Sequence, residues 1–292
     1  FHGRSIVTTL PSRDLQIMPV TYHVAPGKQN DAALIAVMAE RLDGDFSDYV
    51  VDYIPVRAES DEEERLAIVA VARRETVIEY LEVMRKCGLE TVHLEIGPTA
   101  IRRLISAMQP KHRNENVLAI NFGRQSSYIT VVSGNRLLFD QAISFGEVQL
   151  LEKISAELDM PIETVTQLVQ DNSLDPAASQ ASRNDLDIAG ALLQIVKPAF
   201  LQLVEEINRT LIYTASQTRG EQVSRIYILG SLARWQGTDA LLRSLVELDV
   251  ETIPNPLKPF FAAGKKNDNA GDAAPEIAVA TGLAMNGMAE ND

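Results

Sequence analysis

Ala119-Ile120-Asn121-Phe122-Gly123-Arg124-Gln125-Ser126-Ser127 is an apolar run that stops at a glycine, with small amide and hydroxyl side chains beside it, and it leads into a strand-like stretch at 128–132. A glycine at such a stop lets backbone N–H groups approach a ligand with no Cβ in the way, which suits a phosphate. The pattern recurs in Ile226-Tyr227-Ile228-Leu229-Gly230-Ser231, which reaches Gly237 before a helical pattern at 238–246. A strand-to-helix crossing of that kind receives nucleotide bases or phosphates. Taken singly, each turn fits a plain hairpin or βα loop equally well, with Ser126, Ser127 and Ser231 doing no more than satisfying turn N–H groups.

Working outward, residues 117–123 and 127–133 and, beyond Gly134-Asn135, 136–144 read as three antiparallel strands in a row. The period becomes helical over 147–158, and Pro161 starts a further helix through Gln170. A polar loop, 171–187, precedes a long helix at 188–218 with apolar spacing at Leu192, Ile195, Val196, Ala199, Leu203, Ile207 and Leu211 and a kink expected at Pro198. A strand at 250–253, a loop at 262–274 expected to be mobile, and a small-residue helix at 275–288 complete this half.

Upstream, strands are expected at 5–10 and 15–24, joined by the turn Pro11-Ser12-Arg13-Asp14. A helix at 31–41, capped by Asp31, shows Leu34, Ile35 and Met38 on one face. Strands at 49–57 and 66–72 flank the acidic Asp61-Glu62-Glu63-Glu64, which reads as a solvated hairpin tip. A helix at 75–87 stops at Gly88. A strand at 91–96, a helix from Gly97-Pro98-Thr99 to Met108 and a polar break at 110–116 follow.

With 292 residues the chain exceeds one ordinary core, so at least two subdomains are expected. No window holds about 18 uninterrupted apolar residues, and Phe1-His2-Gly3-Arg4 has no signal-peptide order, so the expectation is a cytoplasmic protein without direct membrane insertion. The lone Cys87 excludes an intrachain disulfide and is expected to be a buried reduced thiol. His2, His23, His93 and His112 are scattered without metal-ligand spacing. The net charge is −13, and both parts are acidic: 12 basic and 17 acidic side chains in 1–110, 15 and 23 in 111–292. Such a surface repels a polyphosphate backbone, which argues against nucleic acid as a partner.

The order of three antiparallel strands, a helical excursion, a long helix, a strand ending at a glycine turn and a final helix carrying Ala280-Thr281-Gly282-Leu283-Ala284 resembles the second half of actin-like nucleotide-binding proteins. Within these, Arg4-Ser5-Ile6-Val7-Thr8-Thr9-Leu10-Pro11, Ala70-Val71-Ala72-Arg73-Arg74-Glu75, the Asn121 turn, Glu206-Ile207-Asn208-Arg209-Thr210-Leu211, the Gly230 turn, Asn255-Pro256 and the final helix resemble the PilM family of type IV pilus inner-membrane platform proteins, with FtsA more distant. The resemblance implies an α/β fold of the actin-like, ribonuclease H-like kind, its second half complete and its first half partial. Residues 1–88 would be the family's strand-helix-strand-strand α+β insert, which helps hold a short cytoplasmic tail peptide of a PilN-type membrane protein. Residues 89–114 would return to a partial first actin-like subdomain. Residues 115–292 would form the second domain, with a helical subdomain at about 147–225.

Carried over residue by residue, Asn121, Gly123, Ser126 and Ser127 fall on the second phosphate loop, Gly230 and Ser231 on the adenosine turn, and Glu206 and Arg209 on the helix bordering base and ribose. ATP with Mg²⁺ is the implied cofactor. The departures are specific. The first phosphate loop is not in the sequence, and the reading left open is truncation or loss. Asn121 stands where the usual aspartate would balance Mg²⁺, and Gly97 stands where related chaperones carry a water-polarising glutamate. ATP hydrolysis by this chain is therefore not expected, and no catalytic or metal residue is assigned. The expected role is a scaffold at the inner membrane, attached through its partner and open to self-association. Strand 15–24 and the helix 31–41 are the expected peptide-capturing surface. The alternative is a working actin-like ATPase whose first phosphate loop lies upstream of residue 1. A small-molecule kinase is disfavoured because no aspartate base is placed near the Gly97 or Asn121 segments.

Overall fold

The computed structural model describes residues 3–24, 30–56, 64–108, 115–177, 188–218, 220–253, 255–257 and 274–289. Strand β1 (Ser5–Thr9) leads through a single 3-10 turn (Ser12–Asp14) into β2 (Gln16–His23). Helix α1 (Asn30–Arg41), β3 (Tyr49–Pro55) and β4 (Glu64–Arg73) follow, and β2-β4-β3 form an antiparallel sheet. Period-two alternation sends Val20, Tyr22, Val69 and Val71 to one face, where they meet Leu34 and Met38 of α1. Asp31 lies inside the first turn of α1, and its carboxylate accepts the Tyr53 hydroxyl at 2.5 Å, a tie from helix to sheet in place of the expected cap. That bond pushes the Tyr53 hydroxyl up to about 12, because the neutral phenol is the form that donates to a carboxylate. Most of the acidic tip expected at 61–64 lies outside the described residues.

Helix α2 (Arg74–Lys86) ends as its sequence dictates: Gly88 takes φ 76°, its N–H reaches Arg85 O, and Leu89 N–H reaches Met84 O, a Schellman closure. Cys87 is the cap residue there and is exposed, contrary to the expected buried thiol. The cause is position, since the last turn of α2 faces solvent. Strand β5 (Glu90–Glu95) then pairs in parallel with β1, so β1 sits outside the three-stranded sheet with which the sequence grouped it. Helix α3 (Gly97–Met108) follows at once.

Strands β6 (Asn116–Phe122), β7 (Ser127–Ser133) and β8 (Arg136–Ile143) form the antiparallel run read from the sequence, and helices α4 (Glu147–Leu158) and α5 (Ile162–Asp171) come next. The 30-residue α6 (Ile188–Gln217) contains Pro198. Strand β9 (Val223–Gly230) joins a 3-10 turn (Ser231–Arg234), the short α7 (Thr238–Arg243) and β10 (Asp249–Thr252). A second 3-10 turn (Pro275–Ile277) opens onto α8 (Ala278–Ala289). Helix α7 stops well before residue 246, because Ser244 and Leu245 turn back onto carbonyls of its last turn. The expected loop 262–274 lies almost wholly outside the described residues.

The five strands order as β10-β9-β6-β7-β8, with β9 parallel to β6. Central β6 is apolar on both faces, as a doubly covered strand requires. On one side Ile120 and Phe122 meet Phe145 and Phe200, the last from α6; Phe145 and Phe200 stand edge to face with centroids 5.4 Å apart. On the other, Val117 and Ala119 meet Leu104 and Ile105 of α3 and Ala278 of α8. Helix α6 is long and apolar enough to cross a membrane by length and composition, which the search for uninterrupted apolar runs did not register. Its stripe Leu192, Val196, Phe200, Leu203 and Ile207 is buried in the main core.

Helices α3 and α8 cross closely: a Cβ on Gly282 would collide with the backbone of Ala100. The crossing is locked by Arg103, which donates to Glu95 at 2.8 and 3.0 Å and to Gly282 O at 2.6 Å, while Asn286 donates to Glu95 at 2.6 Å.

Candidate functional site

Parallel pairing of β6 with β9 sets Phe122 beside Gly230, so the two glycine turns lie side by side at one end of the sheet. Gly230 takes φ 84°, and a Cβ there would run into Phe122 O and sit 2.8 Å from Asn121 Oδ1. Only glycine serves at that point. Ser231 Oγ lies 3.3 Å from both Phe122 O and Gly123 O, joining one turn to the other. Gly123 folds tightly enough that a Cβ would strike Ser126 O. The start of α4 closes over this turn: Glu147 N–H reaches Gly123 O at 3.1 Å, Val148 N–H reaches Arg124 O at 2.8 Å, and Gln149 donates to Gln125 O. The helix's first N–H groups are thereby spent on turn carbonyls rather than left for an anion. Among the described residues, the N–H groups of Arg124, Gln125 and Ser126 meet no acceptor.

Asn121, Gly123, Ser126, Gly230 and Ser231 are thus brought together. Ser127 turns inward instead, donating to Phe145 O at 2.5 Å, a structural bond at the base of the turn. Glu206 and Arg209 pair with each other at 2.8 Å on α6. Glu206 lines a separate hollow with Gln141, Ser144 and Phe145, a hollow to which neither glycine turn contributes. Beside the turns, Arg234 pairs with Glu147 at 3.6 Å and with Glu276 at 2.5 Å.

One residue was missed. Asp140 on β8 lies opposite Thr130 on β7, which donates to its Oδ1 at 2.6 Å, and it shares a cavity of about 230 Å³ with Gly97 and Asn121. An aspartate does stand near those segments, contrary to the sequence reading. Burial pushes its carboxyl up to about 7, against the weaker opposite pull of the Thr130 bond. Counting out from the Gly134-Asn135 turn would pair Asp140 with Ile129; the register shift between Val131 and Val132 is what brings Thr130 opposite it.

A second hollow, about 420 Å³, opens between the sheet β2-β4-β3 and the β5–α3 segment. Its floor is the sheet face away from α1, with Val50, Asp52 and Ile54 of β3 beside Ala72, Ala70 and Ile68 of β4. Its far wall carries Leu94, Thr99 and Arg102. Strands β3 and β5 are both edge strands of their sheets; β2, the expected capture strand, is an edge as well but lines no part of this hollow. Val50 and Leu94 are each 37% exposed, more than their apolar character favours. Burial, helped by the like charge of Arg103 and opposed by Glu95, lowers Arg102 from its usual value; its guanidinium donates to Asn135 O at 2.7 Å.

Three sheets flanked by helices, with a tight helix crossing and paired glycine turns at the strand ends, define an actin-like protein. A solved PilM–PilN type IV pilus biogenesis complex superposes with TM-score 0.76 over 98% of this chain and 80% of that one, at 21% identity. MreB5 of Spiroplasma citri, solved with AMPPNP, gives TM-score 0.54 over 75% of this chain and 67% of that one, at 14% identity. A search of curated proteins gives no match. The family model for the type IV pilus assembly protein PilM matches residues 45–288, and the chain belongs to that family.

Proposed function

We propose that this chain is a scaffold of type IV pilus assembly that holds the cytoplasmic tail of a PilN-type inner-membrane protein in the hollow between β3–β4 and β5–α3. The carrying observation is the hollow over Val50, Asp52 and Ile54, floored by the buried Ile68, Ala70 and Ala72 and bordered by the edge strands β3 and β5. An extended peptide gains backbone hydrogen bonds from such edges and places alternate side chains on an apolar floor. Asp52 and Arg102 add one charge of each sign, enough to fix the direction of an otherwise apolar segment. The solved complex of a relative with PilN supports the choice of partner. Attachment through that tail would keep the protein on the cytoplasmic side of the inner membrane without inserting into it.

The test is fluorescence anisotropy of a labelled PilN-type tail peptide. Val50→Lys and Leu94→Lys change exposed positions, so the fold should survive while affinity falls at least about tenfold, the scale of losing an apolar contact and burying a charge. Thr21→Lys, at an exposed position of β2, should change nothing; full binding by both groove variants would refute the assignment.

A second reading, nucleotide binding at the glycine turns, is favoured by the three unspent N–H groups of Arg124, Gln125 and Ser126 beside Gly230. Against hydrolysis stand the neutral Asn121 and a neighbouring cavity lined by no Lys or Arg. Calorimetric titration with Mg-ATP separates the two: heat that vanishes in Gly230→Val supports a retained nucleotide site, and a flat trace leaves a scaffold whose turns are structural.

A further inference from the structure

The cavity holding Asp140 lies between the sheet face of Thr130, Asp140 and Ala142 and a wall that includes Leu10, Leu15 and Val279. Its lining is mostly apolar, and Asp140 is its one charged residue. Asp140 is only 2% exposed; Thr130 serves Oδ1, and among the described residues no donor meets Oδ2. A buried carboxylate with one donor is an unanswered charge in a low-dielectric space, and the remedy is a countercharge within hydrogen-bond reach. An anionic ligand such as a phosphate would instead be repelled. The volume, about 230 Å³, exceeds the roughly 150 Å³ that takes one benzene ring in an apolar protein cavity.

We propose that this cavity is a binding site for a small organic cation, a primary ammonium on an apolar body of about one ring's size, with its N–H donors on Asp140 Oδ2. The apolar body would fill the space over Ala142 and against Leu10 and Leu15. The site adjoins the peptide hollow, since Leu10 and Leu15 line both, but Asp140 and Ala142 line this cavity and not that hollow.

The probes are benzylammonium, benzyl alcohol and benzoate, close in shape and differing in charge, titrated into the whole chain at pH 8 and followed by ligand-observed NMR. Benzylammonium should bind at least about tenfold more tightly than benzyl alcohol, the margin of a charge-assisted over a neutral hydrogen bond, and benzoate should not bind. Asp140→Asn should erase the preference while benzyl alcohol still binds, and Ala142→Leu, which fills the space, should remove both. Equal binding of cation and alcohol, a preference that survives Asp140→Asn, or no binding of any probe to a chain whose circular dichroism shows it folded would each overturn the proposal.

Discussion

Asp140 has a consequence for stability that the solvent's pH reveals. Its folded carboxyl is pushed up to about 7, above its unfolded value, so between roughly pH 4 and 7 the folded chain binds more protons than the unfolded one. Stability therefore falls as pH rises through that window, and the penalty is full above pH 7. Asp140→Asn keeps an acceptor for Thr130 and removes the charge, so it should stabilise the chain at pH 8 by on the order of 2–4 kcal/mol and by much less at pH 4. Denaturant melts of both chains at the two pH values check this; an equal effect at both would contradict it. Gly230 makes the opposite case. At φ 84°, with Phe122 O in the way of any Cβ, Gly230→Val should cost about 2 kcal/mol or more, seen as a lower denaturation midpoint. That glycine was legible in the sequence, because an apolar run stopping at Gly-Ser is a local pattern. Asp140 was not, because its burial comes from Leu10, Leu15 and Val279, more than a hundred residues away along the chain.

Elements followed the same division between local and distant causes. The three strands from residue 116 to 143 and the end of α2 at Gly88 were readable from alternation and turn chemistry alone. What alternation cannot show is which edge of a sheet stays open. Strands β2 and β3 are both edges of their sheet, and it is β3, with β5, that borders the hollow. Glu206 and Arg209 were placed correctly on the long helix, yet their pairing with each other and the separate hollow of Glu206 depend on how α6 rotates against the sheet. At the crossing of α3 and α8, Gly282 permits an approach that no side chain would. Gly282→Val should force the helices apart and destabilise by about 2 kcal/mol or more, whereas Ala284→Val, at an exposed position of the same helix, should cost under about 1 kcal/mol. Parallel urea titrations read the difference, and equal losses would mean that the crossing is not the tight point.

At the scale of the molecule, the acidic chain carries two part-open concavities that share Leu10 and Leu15. Order along the chain was enough to read the actin-like architecture, since helical excursions, the long helix and the final small-residue helix follow one another in sequence. The position of the partner hollow was beyond the sequence, because its floor and its wall come from strands on opposite sides of α2. The Glu95–Arg103–Gly282 lock holds that wall, through α3, onto α8. Arg103→Ala should therefore loosen the seam and weaken tail binding together, by about threefold to tenfold, with the thermal midpoint lowered. The central claim is the hollow itself. Its direct measurement is calorimetric titration of a PilN-type tail peptide into the chain and into the Val50→Lys/Leu94→Lys double variant, with and without Mg-ATP. The account predicts saturable binding by the parent chain that nucleotide leaves unchanged and that the double variant loses; undiminished binding by a folded double variant would contradict it.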